Sequence, residues 1–249
     1  MARKLTFLLT DKTAWKLLLK TAFGLLAILF FRQFGFSYFS GAVAVIVFWG
    51  VYLSEVEERY VLGRSFWVMA FAGLAGMKFL VAAPHPFFWG FTGLWTLGFF
   101  TALGLTAFFF ANRQFVYGLL NTLVLFLVFF LFFYFNQIGN FWSLGLILFL
   151  LIGTIFGEAF RFLEIGASRR TRLFSWGLAV VILELAWILS FLPLGFVNAA
   201  VFLTLVSLIV RDAVLLHFKG LLNQGFVLKE LVIFWVLGLI VFAASRWSL

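Results

Sequence analysis

The sequence predicts an all-α fold, a polytopic transmembrane helical bundle of about nine spans, and two observations carry this prediction. Of the 249 residues, 65% are apolar and only 11% are charged, whereas a soluble domain is about half apolar and about a quarter charged. The apolar runs continue over about 17 to 25 residues, which is the length of a spanning helix and not the alternating pattern of a barrel strand. At roughly 20 residues per span plus short loops, eight to ten spans fit the chain.

The chain begins with a basic segment, residues 1–14, which we expect to lie at the membrane surface as an interfacial lead-in. Arg3, Lys4 and Lys12 supply its charge. The first apolar run is followed by bulky and basic residues at 30–32, and not by the small residues of a signal-peptide cleavage site. We therefore interpret this run as a retained first span.

Prolines and charged segments separate the later spans. Pro84 and Pro86 stop the third span, because proline cannot continue the hydrogen-bond ladder of a helix. Pro193 marks the turn between the seventh and eighth spans, and the charged segment 55–64 must lie in water. The predicted spans are 15–31, 38–54, 65–82, 87–111, 115–135, 141–157, 173–192, 196–210 and 229–245.

Residues 1–249 are predicted to form a single integral-membrane domain, with 158–172 and 211–228 as its longer cytoplasmic connecting segments. In the second segment, Leu215, Phe218 and Leu222 recur at helical spacing among charged and polar residues. This pattern favours an amphipathic helix that lies in the plane of the membrane. A plain connector is the alternative.

Lysine and arginine are distributed unevenly between the two sides that nine spans would create. With the N-terminus in the cytoplasm, 15 of the 18 lie in inside segments, only Arg32 and Arg246 lie outside, and Lys78 falls within the third span. Because cytoplasmic loops are enriched in Lys and Arg, we predict a bacterial-type cytoplasmic (inner) membrane, with the N-terminus inside and the C-terminus outside. The inside segments are 1–20, 55–64, 112–114, 158–172 and 211–230.

Small residues four apart indicate where helices approach one another closely. Such pairs occur in the third span at Ala72 and Gly76, and in the sixth at Gly153 and Gly157; Gly98 with residue 102 gives a third in span four. The absence of bulky side chains lets helix backbones come together in lipid. The pattern predicts that spans three, four and six pack inside the bundle.

The residue inventory excludes several classes of chemistry. The chain has no cysteine and only two histidines, which excludes disulfides, thiolate sites and a histidine-rich metal site. It lacks HExxH, Walker and Gly-x-Ser-Gly motifs, and Glu57 and Glu58 lack the arginine and histidines that follow the paired glutamates of CAAX-type membrane proteases. We predict no catalytic residue, metal or cofactor, and no nucleic-acid partner.

Lys78 and Glu184 are the two ionisable residues within predicted spans, where charge is costly and therefore functionally informative. Glu184 lies about eight residues, and Lys78 about four, from the outer ends of their spans. At 1.5 Å per residue the offset is roughly 6 Å, which a lysine stem covers. The pair is a candidate proton or cation site. The alternative is a structural salt bridge, with Lys78 reaching to the interface and Glu184 carrying a proton.

Two further groups of charged residues lie on the cytoplasmic side. Glu158, Arg161 and Glu164 are spaced three apart at the inner end of the sixth span, where they form a candidate gate or docking surface; the alternative is a solvated helix end stabilised by weak ion pairs. Arg169, Arg170 and Arg172 are predicted to contact anionic lipid headgroups.

Two functions remain open at this stage. The first is a small transporter or permease-like protein with an ionisable group inside its bundle. The second is a non-catalytic assembly or scaffold subunit that binds partner helices, partner membrane subunits or lipid. A transporter predicts polar residues that face one another inside the bundle, whereas an assembly subunit predicts an apolar outer groove. An enzyme that acts on a lipid ranks third, because no catalytic motif supports it.

Overall fold

The computed structural model describes residues 12–34, 38–53, 59–82, 85–106, 110, 112–137, 141–163 and 169–244. Within these ranges the chain forms nine α-helices, so the all-α prediction is confirmed for this part of the molecule. The helices are α1 Lys12–Phe34, α2 Tyr38–Leu53, α3 Arg59–Ala82, α4 His85–Thr106, α5 Arg113–Asn136, α6 Phe141–Phe162, α7 Arg169–Phe191, α8 Phe196–Phe218 and α9 Gln224–Ala244. The predicted lead-in, residues 1–14, falls mostly outside the described residues.

Five of these helices are long and apolar enough to cross a membrane: α4 over Pro86–Leu105, and the whole of α5, α6, α7 and α8. The helix α9 contains a shorter apolar stretch, Leu231–Ile240. By contrast, α2 has only 16 residues, about 24 Å of helix against a hydrocarbon core of about 30 Å. Five long apolar helices are compatible with a membrane protein, while a count of nine spans exceeds what length and composition alone support.

The helix ends differ from the predicted spans at two polar segments. The helix α6 continues through Phe162 and α7 begins at Arg169, so helical structure enters both ends of segment 158–172. The helix α8 runs without a break to Phe218, and the chain then turns to enter α9 at Gln224. The predicted in-plane helix over 211–228 is therefore wrong. Leu215 and Phe218 of the predicted periodicity belong to the last turns of α8, whereas Leu222 lies in the turn that follows.

The chain divides into two compact units, Met1–Val124 and Leu125–Leu249, with the division inside α5. The first unit contains α1 to α4 and the first half of α5. The second contains the rest of α5 and α6 to α9. Each has its own buried apolar core.

Trp95 of α4 is the centre of the first unit. Its ring is fully buried, stacks on Phe99 with ring centroids 4.9 Å apart, and lies 5.7 Å from the ring of Phe48 in α2. The indole Nε1 donates a hydrogen bond of 2.8 Å to the backbone carbonyl of Met69 in α3. One side chain therefore joins three helices, and its polar N–H is satisfied in an apolar surrounding.

Glycines let the Trp95 ring approach two helix backbones. A Cβ at Gly73 of α3 would lie 2.7 Å from the indole Nε1, and a Cβ at Gly24 of α1 would lie 3.1 Å from the indole Cη2. Gly73 is four residues after Met69, so it lies one turn further along α3, directly beside the Met69 carbonyl that accepts the indole hydrogen bond. The absence of a side chain at Gly73 opens the path to that carbonyl.

The second unit uses the same kind of contact. A Cβ at Gly153 of α6 would lie 2.4 Å from ring carbons of Trp176 in α7. At the opposite end, Asn136 of α5 donates a hydrogen bond of 3.1 Å to the hydroxyl of Ser190 in α7. The tight approach at Gly153 agrees with its place in a predicted small-residue pair, although the neighbour is an aromatic ring.

Gly73→Ala tests the role of the glycine under Trp95. The new methyl group would overlap the indole and block its hydrogen bond, so we expect a loss of about 1–3 kcal/mol in stability. Thermal unfolding in detergent, followed by tryptophan fluorescence, measures this change. Gly50→Ala is the matched control, since nothing lies within 4 Å of a Cβ at that helical position; it should leave the melting temperature unchanged or raise it. Equal effects of the two substitutions would contradict this account.

Candidate functional site

Buried polar side chains gather near one end of the second unit. The end of α6 and the end of α8 each lie on the side of the start of α7, because six residues separate α6 from α7, and α8 returns after the short turn 192–195. The helix α7 packs against both α6 and α8. We refer to Glu158, Thr171, Ser175, Thr204, Ser207 and Arg211 as the polar site; all six are buried.

The buried face of α8 contributes three members of the polar site. Thr204, Ser207 and Arg211 follow one another at spacings of three and four residues, which places them within an arc of about 60° on the helix. They lie about 21, 16 and 10 Å from the end of α8 at Phe218. The polar groups therefore reach from near the helix end to its middle, along a face that is otherwise apolar.

The helices α6 and α7 contribute the other three members. Glu158 is 1% exposed although it is only four residues from the end of α6. Thr171 and Ser175 lie one turn apart on the buried face at the start of α7. The hydroxyl of Ser175 donates to the carbonyl of Arg172 at 2.8 Å, which satisfies it within its own helix.

The polar site contains two charged residues, Arg211 and Glu158, and the carboxylate of Asp212 lies next to it on α8. The Nε of Arg211 lies 2.8 Å from Oδ1 of Asp212, with side chains 10% and 44% exposed. The guanidinium is thus buried while its carboxylate partner reaches the surface. Together with Glu158, the formal balance of these three groups is negative, while the exposed Arg161, Arg169, Arg170 and Arg172 lie at the same helix ends.

Ser207 is the polar site's least satisfied member. Its side chain is fully buried, and its Oγ has no hydrogen-bond partner among the residues that the structure describes. By contrast, Thr204 one turn away donates to the carbonyl of Ala200 at 2.7 Å. A buried hydroxyl without a partner is costly, so Ser207 is the position at which a bound polar ligand or ion would restore a missing contact.

The predicted cytoplasmic group divides between different surroundings. Glu158 is buried and Arg161 is exposed, while Glu164 lies outside the described residues. A solvated helix end therefore does not describe Glu158. Arg169, Arg170 and Arg172 are placed on the first turn of α7, where all three are exposed. Their contact with anionic headgroups stays a prediction.

The intramembrane pair Lys78 and Glu184 also stays a prediction. Glu184 is exposed on α7, between the exposed residues Val181 and Trp187. Lys78 belongs to α3, but its side chain is not among those described. The buried carboxylate of the described chain is Glu158, which hydropathy places at a helix end.

Sequence reasoning missed Arg211 and Ser207. Arg211 belongs to the segment 211–228, predicted to be a cytoplasmic connection, yet it is 8% exposed within α8. The available signal was the spacing of Thr204, Ser207 and Arg211 in a helix that is otherwise apolar. Reading α8 as one helix through Phe218 would have shown that the three share a face.

The polar site offers no evident metal centre. No cluster of three or more His, Cys, Asp or Glu side chains able to hold a metal ion is found in the described ranges. Its oxygen ligands are instead a carboxylate and hydroxyls, which suit a proton or a monovalent cation better than a transition metal, whereas the Arg211 guanidinium cannot act as a ligand to a cation.

The fold and the polar site define an all-helical chain, compatible with a membrane protein, that encloses ionisable groups within one of its units. Comparison of the chain with protein-family models, with curated proteins and with solved structures finds no match.

Ser207→Ala tests whether the buried hydroxyl is unsatisfied. Removing a polar atom that has no partner should raise stability by about 1 kcal/mol in the ligand-free protein, as measured by thermal unfolding in detergent. Ser175→Ala is the matched control, because it removes a hydroxyl that already has a hydrogen bond and should leave stability unchanged or lower it. A destabilising effect of Ser207→Ala would mean that the hydroxyl has a partner in solution.

Proposed function

We propose that this protein is a small permease-like membrane transporter that moves protons or small monovalent cations, with the polar site as its ion-binding element. The observation that carries the proposal is the burial of Glu158 inside an apolar helix long enough to span a membrane. An ionisable residue in a membrane span is expensive and typically marks a pathway for ions or protons.

The arrangement around Glu158 supports this function. On α8, Ser207 and Thr204 carry buried hydroxyls towards the middle of the helix, and the buried Arg211 pairs with the partly exposed Asp212. A cation that enters from this end would meet a carboxylate first and a hydroxyl deeper in the helix. The guanidinium of Arg211 would hold the local charge close to balance when the cation is absent.

The proposed topology has nine spans in a bacterial-type inner membrane, with the N-terminus in the cytoplasm and the C-terminus outside. The distribution of Lys and Arg supports it, since 15 of 18 fall in segments on one side. In this orientation the polar site opens to the cytoplasm. Arg169, Arg170 and Arg172 then lie beside it at the level of anionic headgroups.

Glu158→Gln tests the transport proposal. Purified protein in liposomes with an imposed membrane potential should take up protons, Na⁺ or K⁺, each followed by an internal dye that responds to that ion. The substitution removes the carboxylate and should lower the flux at least about tenfold, a barrier change of about 1.4 kcal/mol. Glu184→Gln is the matched control, because that carboxylate lies on the exposed face of α7; it should change the flux less than about twofold. Equal fluxes in all three proteins, or none in the unsubstituted chain, would refute the proposal.

Cysteine labelling tests the topology, because the chain has no native cysteine. Gln137→Cys and Gly195→Cys lie in turns assigned to the outside, and Asn112→Cys and Lys219→Cys in turns assigned to the cytoplasm; all four positions are exposed. An impermeant maleimide should label the first two in intact cells and the second two only after the membrane is opened. The reverse pattern would invert the orientation, and a mixed pattern would contradict the number of spans.

The second candidate is a membrane assembly subunit. An apolar groove of about 510 Å³ between α1 and α4, lined by residues that include Leu18, Thr21, Trp89, Thr92 and Leu97, favours it. The hydroxyl of Thr92 in this groove is buried and has no hydrogen-bond partner among the described residues. The groove would accept lipid or a helix, and the two roles are compatible in one protein.

A further inference from the structure

The helix α7 has two distinct faces. Leu178, Ile182 and Leu189 lie on its buried face, which packs in the second unit. The opposite side is exposed along the whole helix. We refer to this side as the outer face of α7; it consists of Leu173, Gly177, Val180, Val181, Glu184, Trp187, Ile188 and Phe191.

Glu184 lies at the centre of the outer face. At 100° per residue, every other member falls within about 60° of Glu184 around the helix axis. About three turns of this face precede it and two follow it, and no other residue of the face is polar or charged. Glu184 is about 10 Å from the end of α7 at Phe191, so it lies in hydrocarbon if α7 spans the membrane as proposed.

The carboxylate of Glu184 is unsatisfied in the described part of the protein, where no side chain forms a hydrogen bond or ion pair with it. Lipid chains carry no donor that could replace one. A carboxylate at this depth is therefore costly, and an apolar rim around it would exclude water once another surface covers it.

We propose that the outer face of α7 docks a membrane-spanning helix of a partner protein that carries a lysine or arginine at the depth of Glu184. Charge complementarity determines this choice of occupant. A cation in the middle of a partner helix would need a carboxylate as much as Glu184 needs a donor. The proposal rests on α7 spanning the membrane but is independent of ion transport at the polar site.

A second copy of the chain fits the outer face less well. A symmetric dimer through this face would place two Glu184 carboxylates opposite each other, since such an interface brings the same patch of each copy together. Two like charges at close range oppose each other. The face is therefore suited to a partner of opposite charge.

The test uses a synthetic transmembrane peptide of about 20 leucines with one central lysine, in phosphatidylcholine vesicles. A fluorophore on Gly195→Cys, beyond the end of α7, reports energy transfer to a labelled peptide. The lysine peptide should bind at least about tenfold more tightly than an all-leucine peptide. Glu184→Leu should abolish this difference, and Glu184→Lys should transfer the preference to a peptide with a central glutamate.

A relocated carboxylate distinguishes the outer face from a lone charge. Leu150 is exposed at the middle of α6, so Glu184→Leu combined with Leu150→Glu moves the carboxylate to another helix. This double variant should bind the lysine peptide at least about fivefold more weakly than the unsubstituted chain does. Full recovery would show that any exposed carboxylate suffices, and would overturn the proposal.

Three other results would overturn it. Equal binding of lysine and all-leucine peptides to the unsubstituted chain would show that Glu184 selects no cation. Spontaneous disulfide-linked dimers of Val181→Cys at high lipid-to-protein ratio, absent from Leu146→Cys on α6, would assign the face to a second copy. Binding of the lysine peptide only after Lys78→Leu would show that Glu184 is paired with Lys78, as predicted from the sequence, and is not available to a partner helix. Unchanged unfolding temperatures of the Glu184 variants would show that each result concerns docking and not folding.

Discussion

The close fit of aromatic rings onto glycine backbone is the interaction on which both units depend. Between helices in lipid, burial of apolar surface supplies little driving force, because lipid tails are as apolar as leucine. Shape and hydrogen bonds must hold the helices together instead. Trp95 does both in the first unit, since it rests on Gly73 and donates to the Met69 carbonyl beneath. Trp176 rests on Gly153 in the second, which fixes α6 against α7 and so positions Glu158 relative to the start of α7.

This packing keeps the residues of the polar site in the interior of the second unit. A rigid contact between α6 and α7 holds Glu158 on the interior side although it lies one turn from the helix end. On α8, the 3- and 4-residue spacing keeps Thr204, Ser207 and Arg211 on the interior side as well. The apolar side chains around them lower the local polarity, which strengthens any attraction between a cation and the carboxylate. The packing that stabilises the unit is thus also what makes its few polar groups effective.

Hydropathy and proline positions predicted the helices well, because each α-helix contains a continuous apolar run bounded by charge, proline or a turn. The small-residue spacing also marked Gly76, Gly98 and Gly153, each of which lies against a neighbouring side chain. What could not be predicted is the direction in which each polar residue faces. Linear hydropathy predicted that Glu158 and Arg211 are exposed to solvent, whereas both are buried. Burial depends on the angular position of a residue around its helix and on the helix that packs against that side. The angular position can be read from the sequence only when the ends of the helix are known, and the neighbouring helix cannot be read from it.

Glu158 and Glu184 show why position along a helix and burial in the protein must be separated. Glu184 lies nearer the middle of its helix, so hydropathy gives it the greater functional weight. Yet it faces outward, among Val181, Trp187 and Ile188, where an ion pathway has no wall around it. Glu158 lies near a helix end but is enclosed, with other buried polar groups at the same end of its unit. A group that binds a moving ion, as proposed for Glu158, needs enclosure, and Glu158 is buried. A group in the middle of an outer apolar face needs a fixed partner instead. The two glutamates therefore suit different roles, Glu158 the binding of an ion and Glu184 the docking of a cationic partner, although their side chains are identical.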